Sequence, residues 1–150
     1  MSIKEILSTH ILCMDGGMGT LLQAAGLAPG EQPERWNLSH ADTVRSIHRA
    51  YLDAGSRIIT ANTFGANPWH YTEDELREII PAALQNARAA IADAGVTDAY
   101  VALDIGPSGK LLQPYGDLDF EDAVSVFAVS ANGKLNFIAS AGKKAVEAGV

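Results

Sequence analysis

The sequence predicts an α/β protein built on a parallel sheet, and three observations support this prediction. Short apolar segments with strand character alternate with longer segments whose apolar residues recur at helical spacing. The phrase acid-Ala-Gly closes three helical segments, at 53–55, 93–95 and 147–149. Strands and helices that alternate in this way form parallel pairs joined by crossover connections.

The helical segments carry recognisable start signals. Ser39 followed by Asp42 predicts a capping box before the first long helix. Thr72 followed by Glu75 predicts the same cap for the second, and the third is expected to begin near Asp119. The glycine after each helix favours left-handed backbone, which satisfies the last helical carbonyls.

Three short apolar stretches are the predicted strands, over 11–14, 57–61 and 100–103, and a short helix is expected over 18–25. Parallel strands are buried on both faces, so Cys13 is expected to be a buried apolar thiol. Two architectures fit: an open doubly wound sheet, or part of a (β/α)8 barrel. A whole barrel takes about 250 residues, so this chain would supply about three of the βα units.

Composition excludes several classes of partner. The net charge of -7 disfavours nucleic acid and polybasic attachment to a membrane surface. No apolar run approaches the roughly 20 residues of a membrane span, and the first residues do not resemble a secretory signal. A single cysteine cannot form an internal disulfide. A cytoplasmic location is therefore expected.

Polar, glycine-containing phrases follow each predicted strand. They cover residues 15–20, 62–65 and 104–109. Ligands of parallel α/β folds bind beyond the carboxyl ends of the strands. We therefore expect the three phrases to converge on one binding site.

Each candidate site residue has a structural alternative. Asp15 can hold an ammonium group or act as a general base, or it can be the N-cap of the following helix. Asn62 and Thr63 offer hydrogen bonds and Phe64 an apolar wall, whereas an Asx-type turn would simply close the strand. Asp104 is either a second carboxylate of the site or a hydrogen-bonded acid in the rim.

The glycine run 16–19 permits a phosphate-binding hypothesis, because backbone N–H groups at a helix start favour anions. It matches neither common nucleotide-binding glycine motif, and an acid precedes it. The four histidines lack metal-ligand spacing, so no metal site is predicted from them. His48 lies within a helical pattern and is expected to be a packing or surface residue.

Several motifs together resemble the homocysteine S-methyltransferase family, in order from about residue 10 to 128. The chain is similar in particular to the homocysteine-binding modules of cobalamin-dependent methionine synthases. The matching segments are Ile-Leu-Cys-Met-Asp-Gly-Gly-Met-Gly-Thr at 11–20, Pro-Glu-Arg-Trp-Asn-Leu at 33–38, and the stretches 47–55, 58–67 and 104–112.

The resemblance implies a (β/α)8 barrel that transfers a methyl group to the sulfur of homocysteine. It implies zinc, which keeps the thiol deprotonated, and methylcobalamin as the methyl donor. It places the substrate ammonium group on Asp15, with Gly16 beside it. It places Asn62, Thr63 and Phe64 near the substrate. Asp104 is carried over as a further substrate-binding residue.

The chain departs from the family pattern in its later part. The family's zinc ligands are three cysteines in later strands, and this chain has only Cys13, at a non-ligand position. We therefore expect residues 1–150 to be a partial barrel domain, truncated before strand four. Near 130–137 either an insertion interrupts the third helix or that helix splits in two. Zinc is not expected to bind here, and no catalytic residue is assigned to this chain.

Two other hypotheses remain open. One is a non-catalytic barrel fragment that self-associates or needs a complementing C-terminal half, since unpaired strand edges promote association. The other is a phosphate-binding α/β module that uses the run 16–19.

Overall fold

The structure is a computed structural model that describes residues 3–128. Residues 120–128 are helical, and the predicted insertion over 130–137 and the third acid-Ala-Gly phrase lie outside the described residues. The other elements, in chain order, are α1 (Ile3–Leu7), α2 (Gly19–Ala24), a 3-10 turn (Pro33–Arg35), α3 (Trp36–Ser39), α4 (Ala41–Asp53), β1 (Ile58–Thr60), α5 (Glu73–Ala94) and β2 (Tyr100–Ala102).

The sheet is parallel, as the alternation of strands and helices predicts. Strands β1 and β2 pair with Ile58 opposite Tyr100, and α5 connects them. Met14 adds a single parallel bridge to Ile58, so β1 lies between this segment and β2. The backbone N–H of Arg57 supports the bridge by donating to the carbonyl of Cys13 at 2.8 Å. The α/β class is therefore confirmed.

The first predicted strand is shorter than expected. Of the residues 11–14, only Met14 forms a bridge, and Ile11 is 95% exposed. Among the described residues, β1 alone pairs with this segment, which leaves the segment's other edge uncovered. For that reason Cys13 is exposed, and the prediction that its thiol is buried is wrong.

One of the two predicted helix caps is present. Thr72 and Glu75 form a reciprocal capping box at the start of α5. The prediction that Ser39 caps α4 is wrong, because Ser39 is the last residue of α3 and its hydroxyl donates to the carbonyl of Arg35. The residue before α4 is His40, which makes no capping bond through its side chain.

Glycines end the two long helices as predicted. Gly55 follows α4 with a φ of 104°, and Gly95 ends α5 in the left-handed conformation with a φ of 66°. An L side chain is strained at such angles, which explains the choice of glycine.

Helices α4 and α5 pack on each other and cover the sheet. Ile59 of β1 is fully buried in a cluster with Leu52, Ala87 and Ala90. Val44 on α4 packs in a second cluster with the short helices that precede it. Among the described residues, no helix combines the length and apolar character needed to cross a membrane.

Candidate functional site

A cavity of about 480 Å³ lies at the carboxyl ends of the paired strands. We call it the strand-end pocket. Its walls come from residues 14–19, 33–34 and 60–64, together with Asp104. The structure therefore brings together all six residues predicted for the site: Asp15, Gly16, Asn62, Thr63, Phe64 and Asp104.

Both carboxylate oxygens of Asp15 are held by one residue of β1. Thr60 donates its backbone N–H to Oδ2 at 2.8 Å and its hydroxyl to Oδ1 at 2.7 Å. The alternative that Asp15 caps the next helix is wrong, since the N-cap of α2 is Met18, with no side-chain capping bond. A carboxylate accepts about four hydrogen bonds, so Asp15 retains acceptor capacity beyond its bonds to Thr60.

A side chain packs closely on the glycine that follows Asp15. A Cβ at Gly16 would lie 2.9 Å from the hydroxyl oxygen of Tyr51. That hydroxyl donates to the carbonyl of Gly17 at 3.0 Å. Helix α4 thus supports the turn that places Asp15 in the pocket wall.

Asn62 and Thr63 use their side chains to connect chain segments. The Asn62 amide donates to the carbonyl of Pro33 at 2.9 Å. The Thr63 hydroxyl donates to the backbone carbonyl of Asp104 at 2.8 Å, and the N–H of Asp104 donates to the same hydroxyl at 3.1 Å. These bonds join the pocket-forming loops to one another.

The apolar part of the pocket wall comes from Phe64, Met14 and Met18. The Phe64 and Met14 side chains are exposed. Their exposure leaves apolar surface beside the carboxylates of the pocket, which suits a ligand with one charged end and one apolar end.

Asp104 lies in an acidic environment. Burial raises the pKa of its carboxyl group, and the nearby carboxylates of Asp15 and Glu34 raise it further. Because burial and like charge both disfavour its ionised form, a cationic ligand in this pocket would relieve the repulsion.

Sequence reasoning assigned no site role to Glu34 or Thr60. Glu34 is 5% exposed and lines the pocket. Its Oε1 accepts from the N–H of Gly65 at 2.6 Å, and its Oε2 accepts from the hydroxyl of Tyr71 at 2.7 Å. Burial is the main cause that raises the pKa of the Tyr71 hydroxyl, and this hydrogen bond to Glu34 raises it further. The available signals were a glutamate in a matched family segment and a hydroxyl at the end of an apolar strand.

The described residues do not form a metal centre. Over 3–128, no group of three His, Cys, Asp or Glu side chains is placed to hold a metal ion. The carboxylates of Asp15, Glu34 and Asp104 beside the run 16–19 disfavour a phosphate, which would be repelled by them.

Comparisons with known proteins identify the family of this chain. A family model described as homocysteine S-methyltransferase matches residues 12–147. Methionine synthase of Mycobacterium tuberculosis is 32% identical over 121 residues, covering 73% of this chain. Methionine synthase of Mycobacterium leprae is 29% identical over 146 residues, covering 89%. The chain spans 10% and 12% of the lengths of these curated relatives.

Solved structures give the same answer for the fold. The homocysteine methyltransferase MmuM from Escherichia coli, in its metallated form, superposes with a TM-score of 0.74 at 18% identity. The match covers 90% of this chain and 54% of that one. Its oxidised form gives a TM-score of 0.75 at 19% identity, with 90% and 53% covered.

The extent of the family match decides the classification. The match to the family model spans residues 12–147, and the structural likeness covers 90% of the chain. The chain belongs to the homocysteine S-methyltransferase family.

Proposed function

We propose that this chain is the N-terminal, substrate-binding part of a homocysteine S-methyltransferase of the methionine synthase type. The strand-end pocket would bind homocysteine, with its ammonium group on Asp15 and Gly16 lining the pocket beside it. Asn62 and Thr63 would shape the pocket, Phe64 would contact the apolar part of the substrate, and Asp104 would add negative charge. The family match and the acidic, partly apolar pocket together support the proposal.

The electrostatics of the pocket carry the proposal. Asp15, Glu34 and Asp104 line it, and among the described residues its wall includes no Lys, Arg or His. An ammonium group is the charged end of homocysteine that such a wall attracts. The thioether and phenyl surfaces of Met14 and Phe64 would lie against the methylene chain.

We further propose that the three strand segments belong to a (β/α)8 barrel, with residues 1–150 forming a partial domain of it. In the complete enzyme a zinc ion would activate the homocysteine thiol, and methylcobalamin would be the methyl donor. This chain's own residues do not fit the zinc, since Cys13 is its only cysteine and lies exposed. We therefore assign substrate binding, and no catalytic step, to this chain, and expect it to be inactive in isolation.

The decisive experiment measures L-homocysteine binding to this chain by NMR titration and calorimetry. We expect Asp15→Asn to weaken binding at least about tenfold, because an amide keeps the shape but loses the charge. Its oxygen can accept from the Thr60 N–H and its NH2 group can donate to the Thr60 hydroxyl oxygen. N-acetyl-homocysteine should bind to wild type no more tightly than L-homocysteine binds to the Asp15→Asn variant. Asp42→Asn is the matched control, because the Asp42 side chain is 100% exposed. Equal affinity for Asp15→Asn and wild type would reject the assignment.

The partial-domain proposal has its own test. Sequencing the gene past the codon for Val150 should reveal an open frame with three cysteine codons for the family's zinc ligands. An immediate stop codon would remove the zinc site from this polypeptide.

A second candidate role is association with another chain, either a second copy or a complementing C-terminal half. It is favoured by the exposed edge at Ile11 and Met14. Sedimentation equilibrium should then show concentration-dependent dimers that Ile11→Lys weakens. A strictly monomeric chain would exclude self-association.

A further inference from the structure

We infer that Glu34 is a positioning residue for the strand-end pocket, holding the loop 62–65 in its ligand-ready position. The inference rests on the proposed function, since the ligand is the one proposed above. It assigns Glu34 a role distinct from that of Asp15.

The side chain of Glu34 connects the loop 62–65 to Tyr71. One oxygen of its carboxylate accepts from the backbone N–H of Gly65 at 2.6 Å. Gly65 directly follows Phe64 in the chain. The other oxygen accepts from Tyr71, whose ring is buried in the core with α5. Glu34 thus ties the tip of the loop to a fixed point beyond it.

The backbone around Glu34 holds the base of the same loop. The carbonyl of Pro33 accepts from the side-chain amide of Asn62 at 2.9 Å. The Asn37 amide donates to the carbonyl of Glu34 at 2.8 Å and to that of Asn62 at 2.7 Å. Residues 33–37 therefore hold both ends of a loop that lies about 30 positions later in sequence.

Burial makes these bonds consequential. The side chain of Glu34 is almost wholly buried, so the Gly65 N–H and Tyr71 hydroxyl lose a charged partner if it is removed. The loop is then free to shift, and with it Phe64 in the pocket wall. Both oxygens of Glu34 bond to groups of the protein, one on the loop and one on Tyr71 behind it, and this link is the role that we assign to it.

Two substitutions separate positioning from direct charge contact. Glu34→Gln keeps an acceptor for Gly65 N–H and can donate to the Tyr71 oxygen, so L-homocysteine affinity should stay within about threefold of wild type. Glu34→Ala should weaken it about tenfold or more, measured below the unfolding transition of each variant. Equal losses in both variants, or none in Glu34→Ala, would overturn the inference. Glu78→Ala is the control, because Glu78 is an exposed glutamate on α5.

Amide NMR supplies a readout that does not need the ligand. The Gly65 amide proton should resonate downfield in wild type, move upfield in Glu34→Gln and exchange faster with solvent in Glu34→Ala. If Glu34→Ala fails to fold, Tyr71→Phe replaces it and should weaken binding severalfold. If wild type does not bind homocysteine, the proposed function fails, and unchanged Gly65 exchange in the alanine variant would separately overturn the role of Glu34.

Discussion

Asp15 and Thr60 are joined by two hydrogen bonds, one from the Thr60 backbone and one from its hydroxyl, at 2.8 and 2.7 Å. Thr60 is the last residue of β1, and Asp15 directly follows the bridge at Met14. The pairing of two neighbouring strand segments therefore orients the carboxylate that we propose as the ammonium ligand. A carboxylate fixed in advance binds without losing rotamer freedom at that moment.

Thr60→Val tests this orientation. The substitution keeps the β-branched shape and the backbone bond but removes the hydroxyl that donates to Oδ1 of Asp15. We expect L-homocysteine affinity to fall by about three- to tenfold, the loss typical of one ordinary hydrogen bond, because the hydroxyl acts on the ligand only through Asp15. Calorimetry of wild type, Thr60→Val and Thr60→Ser measures it. Thr60→Ser restores the hydroxyl and should bind as wild type does; a valine variant of unchanged affinity would contradict the role.

His48 makes the stability of the fold depend on pH. Its side chain is fully buried, its ring nitrogens have no hydrogen-bond partner among the described residues, and burial lowers its pKa from 6.5 to about 4. Between those values the unfolded chain binds a proton that the folded chain does not. The contribution of neutral His48 is therefore fully present above pH 6.5 and is lost as the pH falls toward 4, amounting to roughly 3 kcal/mol.

His48→Leu should flatten this pH dependence. Urea unfolding of both proteins between pH 4 and pH 8 gives the difference in slope, in which contributions from shared carboxylates cancel. His10→Leu, at an exposed histidine, is the control and should keep the wild-type slope. A wild-type slope in His48→Leu would show that His48 is not the group that titrates.

Thr72→Ala tests the capping box of α5. It removes the oxygen that accepts from Glu75 N–H and should lower the free energy of unfolding by about 1 kcal/mol. Thr72→Ser retains a capping hydroxyl and should lose much less. Thermal unfolding followed by circular dichroism compares the three proteins, and equal stability of the alanine variant and wild type would mean that the cap contributes nothing.

Asn86→Leu probes a buried polar link behind the pocket. The Asn86 amide donates to the carbonyl of Asn37 at 2.9 Å and accepts from Arg45 at 3.0 Å. Leucine fills the space but leaves the Asn37 carbonyl without this donor and removes the bond to Arg45, so we expect a loss of about 1–3 kcal/mol in chemical denaturation. Gln85→Leu, on the exposed face of the same helix, should change stability by less than about 0.5 kcal/mol.

Much of the secondary structure was predictable because its signals are local. Some features depend only on neighbours within a few residues, namely the capping box of Thr72 and Glu75 and the glycines after α4 and α5. The parallel strands β1 and β2 were predicted from the spacing of apolar residues along the chain. The cap predicted at Ser39 failed because α3 occupies that position. The burial predicted for Cys13 failed because burial of a strand depends on its neighbours.

The sequence by itself determined the α/β class, the family motifs and six of the residues that line the strand-end pocket. Strand ends of a parallel sheet meet at one edge, so each phrase after a strand was a site candidate. Only the tertiary structure decided what each side chain does there. Thr60 orients Asp15 across 45 positions, and Glu34 holds Gly65 across 31. Such partners are chosen by packing in three dimensions, which no local spacing in the sequence records.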